Sequence, residues 1–151
     1  MKFHTENEIG TFDFHESFVE ELRLGTDSFY MLLDNVKILE TNSKNRDVRT
    51  MRTNGLELRI KDAQVFSVIE EGCKIYNADG VLLREVPDRT VSPSEYFELC
   101  RAMEGASVYG LKKNGDVYEA ALDGEEHAYT LQVKGSGDFE DWNRFLHVEE
   151  V

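Results

Sequence analysis

Two cysteines, two prolines and a single tryptophan in 151 residues leave several protein classes short of material. Cys73 and Cys100 can close one bridge at most, too few for a disulfide framework. Two reduced, partly buried thiols fit a cytosolic chain better. Two prolines leave nothing for Pro-rich linkers. No apolar run approaches the ~18 residues of a membrane span. The opening residues Met1-Lys2-Phe3-His4-Thr5-Glu6 turn polar without an apolar stretch, so no signal peptide is read there and the cytoplasm is the expected location.

Positive charge is the other scarcity. Seventeen Lys and Arg face 30 Asp and Glu, a formal net charge of -13, beyond the magnitude of ~2–8 usual for a small soluble domain. Such a field repels phosphate backbones and anionic membranes and attracts basic proteins and cations. Neither nucleic acid nor a membrane is therefore expected as a partner. One basic island, Lys44 to Lys61, interrupts the acidity: residues 41–62 hold six bases and three acids, net +3. It reads as a solvated loop and strand face that pairs with acidic neighbours, with a dedicated anion site as the alternative.

Leu, Ile, Val and Phe number 41 of 151, above the ~20% below which charged chains stay disordered. The length suits a single domain, residues 1–151, able to bury a sizeable core. Asn54-Gly55, Asp79-Gly80, Asn114-Gly115 and Asp123-Gly124 can each supply the positive φ of a tight hairpin. Between them hydrophobicity alternates with period two. Leu56, Leu58 and Ile60 alternate with Glu57, Arg59 and Lys61; Tyr129, Leu131 and Val133 alternate with Ala128, Thr130 and Gln132. Phe29, Met31 and Leu33 form a third such face. This is the pattern of half-buried antiparallel strands. Strands are expected at 12–24 (broken near His15), 28–40, 56–69, 73–77, 81–86, 107–113, 116–122 and 127–135.

One helix is marked near 92–104. Ser92-Pro93-Ser94-Glu95 is a capping box with Pro at the first helical position. Tyr96, Leu99, Cys100 and Met103 form one apolar stripe, and Gly105 ends it. Thr41 to Asn54 reads as a long mobile loop. After Gly135-Ser136-Gly137, Asp138 can cap a short helical turn near 138–145 that places Phe139, Trp142 and Phe145 on one side. The fold class is mainly β, α+β at most: an antiparallel sandwich or bent, barrel-like sheet of 7–9 strands with one packed helix.

Catalytic signatures are missing. There is no Gly-rich phosphate loop, no nucleophile elbow, no His-Glu-x-x-His and no zinc-spaced Cys/His set. Asn77-Ala78-Asp79-Gly80 lacks the alternating acids and closing Glu of a calcium loop. No metal or cofactor is expected. His15 and Ser17, two apart on a strand, can share a face, but no orienting acid joins them. They read as structural, satisfying backbone groups where the first strand bends, with a functional site as the alternative.

Phe14-His15-Glu16-Ser17, then Val19-Glu20-Glu21-Leu22 and Phe29-Tyr30-Met31-Leu32-Leu33-Asp34-Asn35-Val36, resemble the opening of small uncharacterised bacterial β-domain families. Some of these are similar to immunity proteins of polymorphic toxin systems. The resemblance covers residues 12–40 and implies a single antiparallel β domain without catalysis. The resulting expectation is a non-catalytic acidic module, monomer or homodimer, that binds a basic protein. Trp142 amid Asp138, Glu140 and Asp141 is its candidate anchor, because Trp and Tyr dominate interface hot spots. Trp142 in the core is the competing placement, and a small-ligand-binding β domain is the alternative function.

Overall fold

Alternation of period two decides where most of the chain goes. A computed structural model describes residues 1–148. It has sixteen strand segments: β1 (Phe3–Glu6), β2 (Phe12–Asp13), β3 (Phe18–Leu24), β4 (Phe29–Asp34), β5 (Val36–Ile38), β6 (Met51–Thr53), β7 (Leu56–Lys61), β8 (Gln64–Glu70), β9 (Cys73–Tyr76), β10 (Leu82–Val86), β11 (Arg89–Thr90), β12 (Ser107–Asn114), β13 (Val117–Asp123), β14 (Ala128–Lys134), β15 (Gly137–Trp142) and β16 (Leu146–His147). A 3-10 turn at Pro93–Glu95 leads into the helix α1 (Tyr96–Ala102). The mainly-β, sandwich-like class follows.

Ten strands form one sheet in the order β1-β15-β7-β4-β3-β12-β13-β14-β8-β11, and every pair is antiparallel. β3 and β12 are joined by one residue pair only, Phe18 with Ser107. That seam divides the sheet into two five-stranded halves. Met31, Leu33 and Leu58 from one half and Val68, Tyr118, Leu122 and Leu131 from the other belong to a single buried cluster. The edge strands β1 and β11 do not pair with each other, so no barrel closes. A second, four-stranded sheet runs β16-β6-β5-β2. β9 and β10 form a separate two-stranded hairpin.

The sixteen segments exceed the expected 7–9 in two ways: β1, β6, β11, β15 and β16 are additions to the expected set, and three expected strands are interrupted. Three long expected strands are each cut by a residue in left-handed conformation: Glu16 (φ 68°), Asn35 (φ 58°) and Asp62 (φ 53°). Asn and Asp tolerate this conformation because their short side chains bond locally. Asn35 Nδ2 reaches the Glu16 carbonyl at 3.3 Å, which links two of the breaks. Gly55, Gly80 and Gly115 take the positive φ that their dipeptides require, whereas Gly124 does not. Gly124 is there for room: a Cβ would lie 2.6 Å from Met103 Cε.

Two expectations are corrected. Thr41 to Asn54 is not a mobile loop throughout. Asn42 and Asn45 are buried, Asn45 Nδ2 is shared among the carbonyls of Ile38, Leu39 and Arg49, and β6 pairs with β5. Within the basic island Lys44–Lys61, three side chains pair internally: Arg49 with Asp47, Arg52 with the His147 carbonyl, and Arg59 with Glu57 and Asp141. The helical turn near 138–145 is also absent: Gly137–Trp142 is strand β15, hydrogen-bonded to β1 on one side and β7 on the other. Two ladders satisfy every backbone group that a helical turn would have had to satisfy alone.

Trp142 is fully buried and central to an aromatic cluster, with ring centroids 5.5 Å from Phe12 and 5.7 Å from both Phe3 and Phe145. Its Nε1 has no hydrogen-bond partner. Trp142→Ala should lower the unfolding free energy by about 3–5 kcal/mol. Trp142→Phe should cost much less, because it also removes an orphan donor worth ~1–3 kcal/mol. Urea denaturation measures both, and equal losses for the two variants would contradict this placement.

Candidate functional site

Because β15 is a strand, its side chains alternate, and the inward set is Asp138, Glu140 and Trp142. All three are at most 1% exposed. They are therefore interior groups and not the surface anchor that their composition suggests. Asp138 accepts from the Ile9 amide at 3.1 Å and from the Tyr118 hydroxyl at 2.6 Å. Glu140 Oε1 accepts from the Thr5 hydroxyl at 2.8 Å, while its buried Oε2 has no hydrogen-bond partner. Desolvation first, and then the neighbouring Asp138, push the Glu140 carboxyl up to about 9. Burial there favours the protonated acid at neutral pH.

Asp141 points outward. It bonds His4 Nδ1 at 2.7 Å, while His4 Nε2 meets Glu6 at 3.1 Å. These bonds, Glu6 first, raise the His4 pKa. His15 and Ser17 are not brought together. The exposed His15 ring bonds the Tyr109 carbonyl at 2.8 Å, and the buried Ser17 hydroxyl donates to the Phe14 carbonyl at 2.6 Å. Both stitch the turn between β2 and β3 to its surroundings. Both cysteines are free, with Cys73 exposed rather than partly buried. Burial pushes the Cys100 thiol up, against a smaller opposing bond from Leu24, which keeps it protonated and weakly nucleophilic. Among the described residues no group of three or more His, Cys, Asp or Glu gathers as a metal site would. No helix among them is long and apolar enough to cross a membrane.

The surface with binding character lies elsewhere, along α1 and β3. Ser92 and Glu95 make the expected capping box, the Ser92 amide donating to Glu95 Oε2 at 2.9 Å. Arg89 clamps this corner to the sheet, 2.7 Å from Glu95 and 3.2 Å from Glu70. The Ser92 bond, then Arg89, holds the Glu95 carboxyl below its ordinary range. Tyr96, Leu99 and Met103 are buried as the stripe requires. Phe97 falls off the stripe and is 74% exposed. Beside it a groove of about 470 Å³ runs between α1 and β3, floored by Leu22, Leu24 and Cys100 and edged by Glu21, Arg23, Arg101 and Glu104. Arg23 is already held by Glu21 at 2.7 Å. Glu104 also lines a second hollow with Phe18, Asp123 and Glu125. Phe18 is 49% exposed. One continuous band thus carries two exposed aromatics amid Glu21, Glu104, Asp123 and Glu125.

Sequence reasoning missed this band. Its signal was present in Phe97, an aromatic out of phase with the stripe; Phe18 is in phase with Leu22 at period two, and only the bulge between Val19 and Glu21 turns the two to opposite faces. The chain matches no protein-family model, no curated protein and no solved structure.

The buried pair sets a pH dependence. The Glu140 pKa is raised on folding, so the folded state binds more protons than the unfolded chain between the ordinary glutamate value and about 9. Stability must fall as pH rises across that window. Glu140→Gln keeps an acceptor for Thr5 without a titrating proton. Thermal melts from pH 6 to 9 should show a downward slope in wild type that is shallower in Glu140→Gln. His4 adds the same sign to both proteins and cancels in the difference. Parallel slopes would contradict a neutral Glu140.

Proposed function

We propose that the chain is a non-catalytic acidic interaction module that takes a basic protein partner on the α1–β3 band, in the manner of the immunity proteins its opening strands resemble. The observation that carries this reading is Phe97, a large aromatic held out in water on a capped helix beside a groove whose edges carry Glu21 and Glu104 together with Arg23 and Arg101. A long-range field from a -13 chain steers a basic surface and raises its association rate. Lys or Arg side chains arriving at the band can sit over the Phe97 and Phe18 rings while pairing with Glu21, Glu104 or Asp123. The non-catalytic part is supported by His15 and Ser17, each held by a separate main-chain carbonyl. Two free thiols suit a reducing cytoplasm.

The test is a pull-down from bacterial lysate with wild-type bait beside a Phe18→Ser/Phe97→Ser bait of equal thermal stability. A basic protein should be held by wild type at low salt, be weakened in roughly 0.5 M salt where the Debye length is about 4 Å, and be lost from the double variant. Retention that is equal on both baits, or indifferent to salt, would overturn the assignment of this band.

A further inference from the structure

Residues 64–90 form one long ribbon. Its base, β8 with β11, belongs to the large sheet; its outer half, β9 with β10, projects beyond it. The junction is fixed rather than loose. Gly72 donates to Asp88 Oδ1 at 2.7 Å, and a Cβ on Gly72 would fall 1.9 Å from the Val86 carbonyl oxygen, so only glycine permits the crossing. The tip is equally set: Asn77 Oδ1 receives the amides of Asp79 and Val81 at 2.9 and 3.0 Å.

Every residue of this arm from Cys73 to Thr90 is exposed. Ile75, Tyr76, Val81, Leu82, Leu83 and Val86 all stand in water, Leu83 at 64%. An isolated two-stranded hairpin is marginal in water, and three or more strands with an apolar face are the stable form. Both of its edges also carry unpaired backbone groups. An ordered arm built this way is incomplete alone.

Charge decides what completes it. Lys74 and Arg84 balance Asp79 and Glu85, so segment 73–86 is neutral in a chain of -13. A basic partner has no reason to choose the neutral arm over the acidic body. Two copies of an acidic chain, by contrast, repel on the whole, and a neutral projection that holds their bodies apart lets them meet at least cost. β10 is also self-complementary. β10 bulges at Leu83 against β9; a two-fold axis at Leu83 on the outer edge would pair β10 antiparallel with its own copy, set Leu83 against the partner's Leu83, Leu82 against the partner's Arg84 and Val81, just before the strand, against the partner's Glu85, and oppose no like charges.

We propose that the β9–β10 hairpin is a dimerisation arm whose occupant is the same hairpin of a second copy, paired edge to edge through β10 into a four-stranded ribbon. This inference does not rest on the basic-partner reading, and salt separates the two. Screening weakens attraction to a basic protein but relieves repulsion between two acidic bodies, so self-association should strengthen as salt rises.

Sedimentation equilibrium over a range of protein concentrations, at low and at roughly 0.5 M salt, reads this directly. Wild type should form dimers, more tightly at high salt. Leu83→Asp should weaken association at least about tenfold, the scale of a central hot-spot residue, with an unchanged melting temperature where both proteins are dilute enough to be monomers, because Leu83 is exposed there. With Cys73 replaced by Ser, Leu83→Cys should form a disulfide-linked dimer under mild oxidation. A wild-type monomer in both salts, a dimer that weakens with salt, or a Leu83→Asp variant that dimerises as well as wild type would each overturn the proposal. Loss of a basic partner on Leu83→Asp in a monomeric protein would assign the arm to that partner instead.

Discussion

The structure depends on two carboxyl groups buried on one face of β15. Asp138 and Glu140 face inward from β15, and everything they touch belongs to another part of the chain: Thr5 on β1, the Ile9 amide before β2, and Tyr118 on β13 in the opposite half of the sheet. Asp138 has two donors, but Glu140 has an unpartnered oxygen, and a buried carboxylate without partners is costly. Burial therefore favours the neutral acid at Glu140. β15 can then sit between β1 and β7 with Trp142 delivered into the aromatic cluster of Phe3, Phe12 and Phe145.

This arrangement changes what the acidity of the chain means. The aromatic set among acids in the sequence is interior architecture, and the acids of Glu21, Glu104, Asp123 and Glu125 around Phe97 and Phe18 make the outward-facing equivalent. The two proposed association surfaces differ in kind. The α1–β3 band is aromatic and acidic, suited to a cationic surface. The β9–β10 arm is apolar and neutral, suited to a second copy. They lie on different elements, so one chain can use both.

The parts that were legible in the sequence are those ruled by local chemistry. The Ser92–Glu95 box and the stripe from Tyr96 to Met103 announced α1. The meander β12–β13–β14 followed from alternation and its turn dipeptides. What misled was β15. Its inward face carries Asp138 and Glu140 while Phe139 faces outward, so the alternation expected of a strand is inverted, and the i, i+3, i+6 aromatics imitate a helical side. Only tertiary bonds from Thr5, Ile9 and Tyr118 make that inversion stable, and no local rule reports them. The breaks at Glu16 and Asn35 were half visible: a bend near His15 was readable, whereas the left-handed conformation of Asn35 depends on a bond from its side chain to Glu16. The exposed Phe97 was visible in the helical phase and was passed over in favour of the lone tryptophan.

The most direct measurement of the central claim is the side-chain carboxyl carbon of Glu140, followed by NMR as a function of pH in the folded protein. The account predicts the chemical shift of a protonated acid at neutral pH and a titration displaced far upward, toward about 9. An ionised Glu140 at neutral pH, titrating near 4.5 with the fold intact, would contradict it.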